Sequence, residues 1–350
     1  MSDKLRIGII GAGWWAANAH APAIKATGKA EIVAVCRRNP DRLREFAERV
    51  GVPATYGNAA EMLEREALDA AIVCSPHALH YEHVRLAVAR GLHVLTDKPL
   101  ALTTREAKVL VQLAELQDRL LAVYFGPAYD SAYRYAAAKM REGAFGRILH
   151  AEFTYFANPD ALGFFGHAEF PDNPEEFPIT PTQFRADPVL GGGGYLQDVG
   201  NHGMSALLIG TGLQVTHVNA LMDNSELDLR ATVQMRFEGG ATGIVTVGAD
   251  MRPRKREYKD FGRFAVIGES GGIWRDPGSP TLWRREWDGV AEPVPEEELP
   301  PKTNPDENFI NAILGGEELI APGSAAVECV RAIEAAYESA RTGGTIAVNR

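Results

Sequence analysis

Lys4-Leu5-Arg6-Ile7-Gly8-Ile9-Ile10-Gly11-Ala12-Gly13-Trp14-Trp15-Ala16 is a short apolar strand, Leu5 to Ile10, running directly into a glycine turn. A strand, a glycine turn and a helix start in that order make a dinucleotide phosphate site. Gly11 permits the tight turn, and Gly13 lets backbone N–H groups approach a pyrophosphate. The helix that begins near Trp15 aims its positive end at the anion, which assigns Trp14 and Trp15 to the cofactor as well. Ala16 stands at the third glycine position, where helix and strand pack closely.

With 350 residues, the chain is long enough for two domains. A composition of 45% apolar and 23% charged residues is that of a globular protein. The formal net charge of −10 argues against a nucleic-acid partner, whose footprint is basic. Three scattered cysteines, Cys36, Cys74 and Cys329, suggest a reducing compartment and no disulfide framework. No apolar run reaches the roughly 18 residues of a membrane span. The Ile7–Ile10 run is too short for a signal peptide. A cytoplasmic protein without a membrane partner is expected.

From residue 1 to about 125, strands alternate with helices. Runs 31–36, 69–75, 92–96 and 120–124 read as buried strands. Asn39-Pro40 caps a helix whose Leu43, Phe46, Ala47 and Val50 share a face, and Gly51 ends it. Thr103 and Glu106 form a capping box. This pattern predicts a doubly wound parallel sheet, a Rossmann domain over 1–125. After residue 127, a helix at 131–141 leads into strands at 148–156, 214–223, 228–238, 241–249 and 262–267, with a weaker one at 281–287. Few helical crossovers separate them, so a mostly antiparallel sheet is expected in a second α/β domain, 126–350, for substrate binding and oligomerisation, with the last helix free to pack back on the Rossmann domain. The stretch 272–305 reads as a long surface excursion, and a helix over 324–341 closes the chain.

Three further signals sit at strand ends. Ser75-Pro76-His77-x-x-His80 reads alone as a helix entry. In Thr96-Asp97-Lys98-Pro99, a lysine follows a buried strand at the carboxyl edge, where open α/β sheets bind ligands. Alone, it is better read as a surface turn. Gly191–Gly194 leads into a helix on which Asp198 and His202, four apart, share a face. A lone pair of that kind is more often structural, or half a metal site.

Taken in order, the Gly11 turn, Ser75-Pro76-x-x-x-His80, Asp97-Lys98-Pro99 and Asp198-x-Gly200-x-His202 resemble the glucose–fructose oxidoreductase and inositol dehydrogenase family. The likeness extends to Glu307-Asn308-Phe309-Ile310-Asn311-Ala312-Ile313 and to the last helix. It implies NAD(P)-dependent hydride transfer to or from a secondary hydroxyl or ketone of a sugar, polyol or related cyclic compound. It also implies a Rossmann domain, an open mixed sheet, a substrate cleft, and a homodimer or homotetramer. Lys98, Asp198 and His202 match the family's catalytic lysine, aspartate and histidine, with His202 the better proton acceptor. Ser75, Pro76, His77, His80 and Asp97 are implied to serve the cofactor with Lys98. Tyr124 and Arg185 join Lys98, Asp198 and His202 as candidates for contacting substrate.

The acid before the lysine is Asp97, one methylene shorter than the usual glutamate. After the 120–124 strand, the Asn-x-Arg pair of many relatives is absent; the segment reads Tyr124-Phe125-Gly126-Pro127-Ala128-Tyr129. The 164–184 stretch and the basic run 252–256 are candidates to replace those contacts. At the end of the second strand, Arg37-Arg38 stands where an acid would hold the ribose of NAD, so NADP(H) is preferred and NAD(H) admitted. Two alternatives stand beside the oxidoreductase: a cofactor-retaining glycoside hydrolase of the same family, and a regulator that senses NAD(P) without turnover. No bound metal is expected, because no His-Glu-x-x-His or paired-cysteine spacing exists.

Overall fold

The computed structural model describes residues 4–157, 182–249 and 261–348. They form two compact units. The first holds 4–124, 182–192 and 304–327; the second holds 125–157, 193–249, 261–303 and 328–348. After Tyr124 the chain returns to the first unit twice. Most of the 164–184 stretch and all of the 252–256 run lie outside the described residues.

In the first unit, six parallel strands run in the order β3-β2-β1-β4-β5-β6. They are β1 (Leu5–Ile10), β2 (Ala30–Cys36), β3 (Ala54–Tyr56), β4 (Ala70–Val73), β5 (His93–Asp97) and β6 (Leu121–Tyr124). The order reverses at β1, and the Gly11 turn leaves the sheet at that switch point. Ala70, Ala71, Ile72 and Val73 are fully buried, as a strand covered on both faces requires. The helix Pro40–Val50 obeys its sequence signals. Asn39 accepts a hydrogen bond from Arg42 N at 3.0 Å, Leu43, Phe46 and Ala47 are buried, and Gly51 ends it at φ 79°. At three residues, β3 is too short to show a strand's period in sequence.

The second unit carries a sheet ordered β14-β13-β12-β11-β7-β10-β9-β8-β15 among the described residues. These strands are β7 (Ile148–Phe156), β8 (Val215–Met222), β9 (Arg230–Phe237), β10 (Thr242–Gly248), β11 (Phe261–Gly268), β12 (Gly271–Arg275), β13 (Leu282–Glu286), β14 (Glu292–Pro293) and β15 (Ile346–Ala347). Only β7 and β10 pair in parallel; the other pairs are antiparallel. Ala231, Val233, Met235 and Phe237 of β9 are buried while Thr232, Gln234 and Arg236 alternate with them, so one face is apolar. The helices Ser131–Arg141 and Asn201–Thr211 pack on each other, and the second also packs on β7.

The expected excursion over 272–305 is corrected by this sheet. Its first part extends the sheet edge as β12, β13 and β14, with Leu282 and Val294 buried. The Arg284 guanidinium donates to Glu292 Oε1 at 2.8 Å and to Glu298 Oε2 and Tyr135 Oη at 2.5 Å. That fork fastens the acidic segment, which composition alone made look solvated. Among the described residues, no helix is long and apolar enough to cross a membrane.

Candidate active site

At the switch point, Gly11 adopts φ 98°, and a Cβ there would lie 2.6 Å from the backbone of Cys74 and Ser75. Only glycine permits β4 to approach so closely. Gly13 is different: a Cβ would meet nothing nearer than the Gly11 carbonyl oxygen, at 3.7 Å. The fold does not require that glycine, so the space it leaves suits a ligand approaching the backbone. The first-turn N–H groups of the helix after it lack intrahelical acceptors and suit an anion. Ala16 is fully buried in the core at the third position. These features fit a dinucleotide pyrophosphate.

Arg37 reaches back from the end of β2, and its Nη1 donates to the Ala12 carbonyl at 2.8 Å. Its guanidinium is thereby anchored to the glycine turn. Arg38 is exposed, and Asp41, an alternative partner for it, is engaged by Arg44 at 2.5 Å. Trp14 and Trp15 have ring centroids 5.7 Å apart, and Trp15 meets Tyr124 edge-on at 5.5 Å.

The Ser75–His80 segment divides in role. Ser75 Oγ lies 2.9 Å from His83 Nδ1, a neighbour that the sequence did not single out. Pro76 is half-buried before the turn. His77 Nδ1 lies 2.9 Å from the Gly191 carbonyl, and its ring meets Phe184 edge-on at 5.1 Å. His80 is fully buried, with Nδ1 2.6 Å from the Pro99 carbonyl and Nε2 2.7 Å from the Ser75 carbonyl. His80 thereby links the segments that follow β4 and β5. Arg185 stacks on Phe184, its guanidinium 4.6 Å from the ring centre.

Asp97 ends β5, and Lys98 follows it, half-buried, with Pro99 buried beyond. Beneath Asp97 lies a histidine that sequence reasoning missed. His20 closes a wide helical turn, Ala16–His20, and is fully buried. Its Nδ1 is 2.7 Å from Asp306 Oδ1 and its Nε2 is 3.1 Å from Asp97 Oδ1. Cys74 Sγ is within 4.8 Å of the ligand atoms of His20 and Asp97, a spacing that a metal ion could bridge. Burial pushes the Cys74 thiol up to about 12, so a cation would have to displace its proton. A charge cluster accounts for the arrangement without a metal.

In the second unit, Asp198 is buried in the turn Leu196–Gly200, and His202 lies in the helix Asn201–Thr211 that follows. A clamp absent from the sequence reading holds this segment. Asp228, fully buried, accepts from Leu196 N at 2.7 Å, Gly194 N at 3.2 Å and Tyr337 Oη at 2.6 Å. Tyr337 Oη in turn accepts from Gly194 N at 3.0 Å and Gln197 N at 3.2 Å. A Cβ on Gly194 would lie 2.1 Å from the Asp228 carbonyl, so this loop must be glycine. The first unit thus carries the glycine turn, Arg37, Asp97, Lys98, Tyr124 and Arg185, and the second carries Asp198 and His202.

Two family models match this chain. Residues 5–125 match the model described as "Oxidoreductase family, NAD-binding Rossmann fold", and residues 133–274 match the GFO/IDH/MocA C-terminal domain. The chain is 25% identical over 345 residues to D-xylose 1-dehydrogenase (NADP(+)) 2 of Haloferax volcanii, covering 98% of this chain and 99% of that protein. It is 34% identical over 135 residues to D-glucoside 3-dehydrogenase of Escherichia coli, covering 39% and 37%. An inositol dehydrogenase homolog from Azotobacter vinelandii, solved with NAD+, superimposes with a TM-score of 0.79 at 22% identity, covering 99% and 98%.

Proposed function

The chain belongs to the GFO/IDH/MocA family of oxidoreductases, and on that premise we propose that it is an NADP(H)-preferring dehydrogenase or reductase of a secondary hydroxyl or ketone on a sugar or polyol. The nicotinamide, when bound, accepts or delivers the hydride. The residues of this chain supply the rest. The cradle at Gly11 and Gly13 receives the pyrophosphate. The Lys98 ammonium stabilises negative charge on the reacting oxygen. His202 takes or returns the hydroxyl proton, and Asp198 orients the substrate hydroxyl. The observation that carries the reading is the lysine after the carboxyl end of β5, in the same parallel sheet as a glycine turn, after β1, whose second glycine the fold itself does not need. A homodimer or homotetramer in the cytoplasm completes the proposal. The test is an absorbance screen at the reduced-nicotinamide band over sugars, inositols, sugar acids and cyclic diols. A full panel without turnover of either cofactor overturns it. Product analysis separates it from glycoside cleavage, which leaves no net NADPH.

The NADP(H) preference rests on Arg37. Anchored on Ala12, its guanidinium is preorganised beside the turn, where a 2′-phosphate can take a charge-assisted pair. Such a bond contributes roughly 1.5–3 kcal/mol, which corresponds to a preference of about 10- to 100-fold. Arg37→Asp is expected to invert it. Dissociation constants for NADPH and NADH on both proteins decide the matter, and equal affinities in the wild type refute it.

His202 makes a prediction about pH. If it is the proton acceptor, oxidation speeds up as pH rises through the range where an imidazole loses its proton, roughly pH 6–7. His202→Ala is expected to flatten that acid limb of kcat/KM. A wild-type rate flat from about pH 5.5 to 8 would demote His202 to anchoring the substrate.

A further inference from the structure

A neutral imidazole has one N–H and one lone pair, whereas His20 faces a carboxylate oxygen on each nitrogen, 2.7 Å to Asp306 and 3.1 Å to Asp97. A lone pair against a buried carboxylate is repulsive, and only the imidazolium donates on both sides. His20 and Asp306 are almost wholly shielded from water, at 0% and 1% exposure, so an unpaired charge there is costly. We infer that His20 is a positioning residue, an imidazolium bridging Asp306 to Asp97 and fixing the end of β5 from which Lys98 projects.

The bridge explains three features together. His20 closes a wide turn, Ala16–His20, immediately after the cofactor cradle, which couples that helix to the lysine-bearing strand. Asp306 comes from the helix Pro305–Ile313, so the bridge ties the late segment 304–327 to the first unit. Tyr124, the end residue of β6, covers the ring edge-on at 5.0 Å and is itself paired in register with Asp97. The groups facing His20 are therefore Asp306, Asp97, Cys74 and Tyr124. Burial alone would lower its pKa, but Asp306, Cys74 and Asp97 outweigh that and hold it well above 6.5. A raised folded-state pKa stabilises the fold fully below about pH 6.5, and that contribution is lost as pH climbs through the folded value.

The inference rests on the proposed role of Lys98 only for its consequence in turnover, so its test has two arms. In the first, the whole protein without added ligand is labelled with 15N-histidine. At pH 8, His20, identified by the signal that is lost in His20→Gln, is expected to show both ring nitrogens as N–H, while His80, whose nitrogens face the carbonyls of Pro99 and Ser75, contributes equally to both spectra. A neutral His20 at pH 8 overturns the bridge whatever the enzyme does. In the second arm, glutamine places its amide nitrogen near the Nε2 position and keeps a donor toward Asp97. Asparagine places its amide nitrogen near Nδ1 and keeps the donor toward Asp306. His20→Asn is expected to lose about 10-fold or more in kcat, the scale of a displaced catalytic group. His20→Gln should stay within about 3-fold of wild type, while the two lose comparable stability. Equal losses of kcat overturn the positioning role. If neither variant folds, Asp306→Asn carries the test. It must lower the pH at which His20 loses its proton and reduce kcat with an unchanged KM for NADPH; no change in either overturns the inference. An imidazolium at His20 in a protein that turns over no sugar or polyol refutes the functional reading alone.

Discussion

Replacement of Lys98 by alanine is expected to lower turnover by roughly 100-fold or more, the usual effect of losing one positioned proton-transfer or charge-stabilising group. The fold should survive, because the strand end keeps its other ties. Asp97 pairs with Tyr124 across β5 and β6, the Pro99 carbonyl is held by His80 at 2.6 Å, and Asp97 is held by His20 at 3.1 Å. NADPH affinity should change little, since the pyrophosphate cradle at Gly11–Gly13 and the Arg37 anchor on Ala12 lie elsewhere. Lys98→Arg keeps the charge but spreads it over a planar fork, so it should recover only part of the loss. The measurement is kcat on the best substrate of the screen beside NADPH titration of Trp fluorescence. A Lys98→Ala protein with near-normal kcat removes Lys98 from the chemistry.

The parts of this site that could be read in sequence are those whose logic is local. The glycine turn announces itself within a dozen residues, because strand, turn and helix follow without interruption. Asp97-Lys98-Pro99 reads alone as a surface turn, and only its order with the other motifs marks it out. The supporting residues were hidden for the opposite reason. His20 and Asp306 are 286 positions apart, and Asp228 and Tyr337 are 109 apart. Each looks ordinary in its own neighbourhood: His20 sits in an alanine-rich helix and Asp306 in a helix's first turn. His80 is similar: its spacing from Ser75 reads alone as a helix entry, and the carbonyls of Pro99 and Ser75 that its nitrogens face emerge only in the fold. The acidic tract 272–305 misled because its counter-charge, Arg284, works through a fold-dependent fork. Burial of paired charge leaves no compositional trace, so such residues become visible only when the chain is folded.

The Asp228 clamp should show the largest effect on stability. Asp228→Ala leaves the Leu196 N–H without its acceptor, the Tyr337 hydroxyl without its own, and the Gly194 N–H with only the phenol. All lie where water does not compensate, since Asp228 is wholly buried and Gly194 and Leu196 are buried beside it. Each buried unsatisfied group costs about 1–3 kcal/mol, and removing a buried carboxylate that several donors share costs about 3–5 kcal/mol in all. The unfolding equilibrium should therefore shift by at least about 100-fold, measured as a fall in the urea midpoint at an unchanged slope. Tyr337→Phe should be milder. It removes an acceptor from Gln197 N and one from Gly194 N, but Gly194 N keeps Asp228 and the ring keeps its packing. Turnover should fall further than stability in both variants when assayed well below their melting points. The clamp fixes the turn Leu196–Gly200, which carries Asp198 and leads into the helix of His202, and a small displacement of positioned groups is costly in rate. Asp228→Ala with a urea midpoint within about 1 kcal/mol of wild type would mean that the glycine loop holds its shape unaided. A destabilised variant with wild-type kcat at low temperature would mean that the clamp serves the fold and not the site.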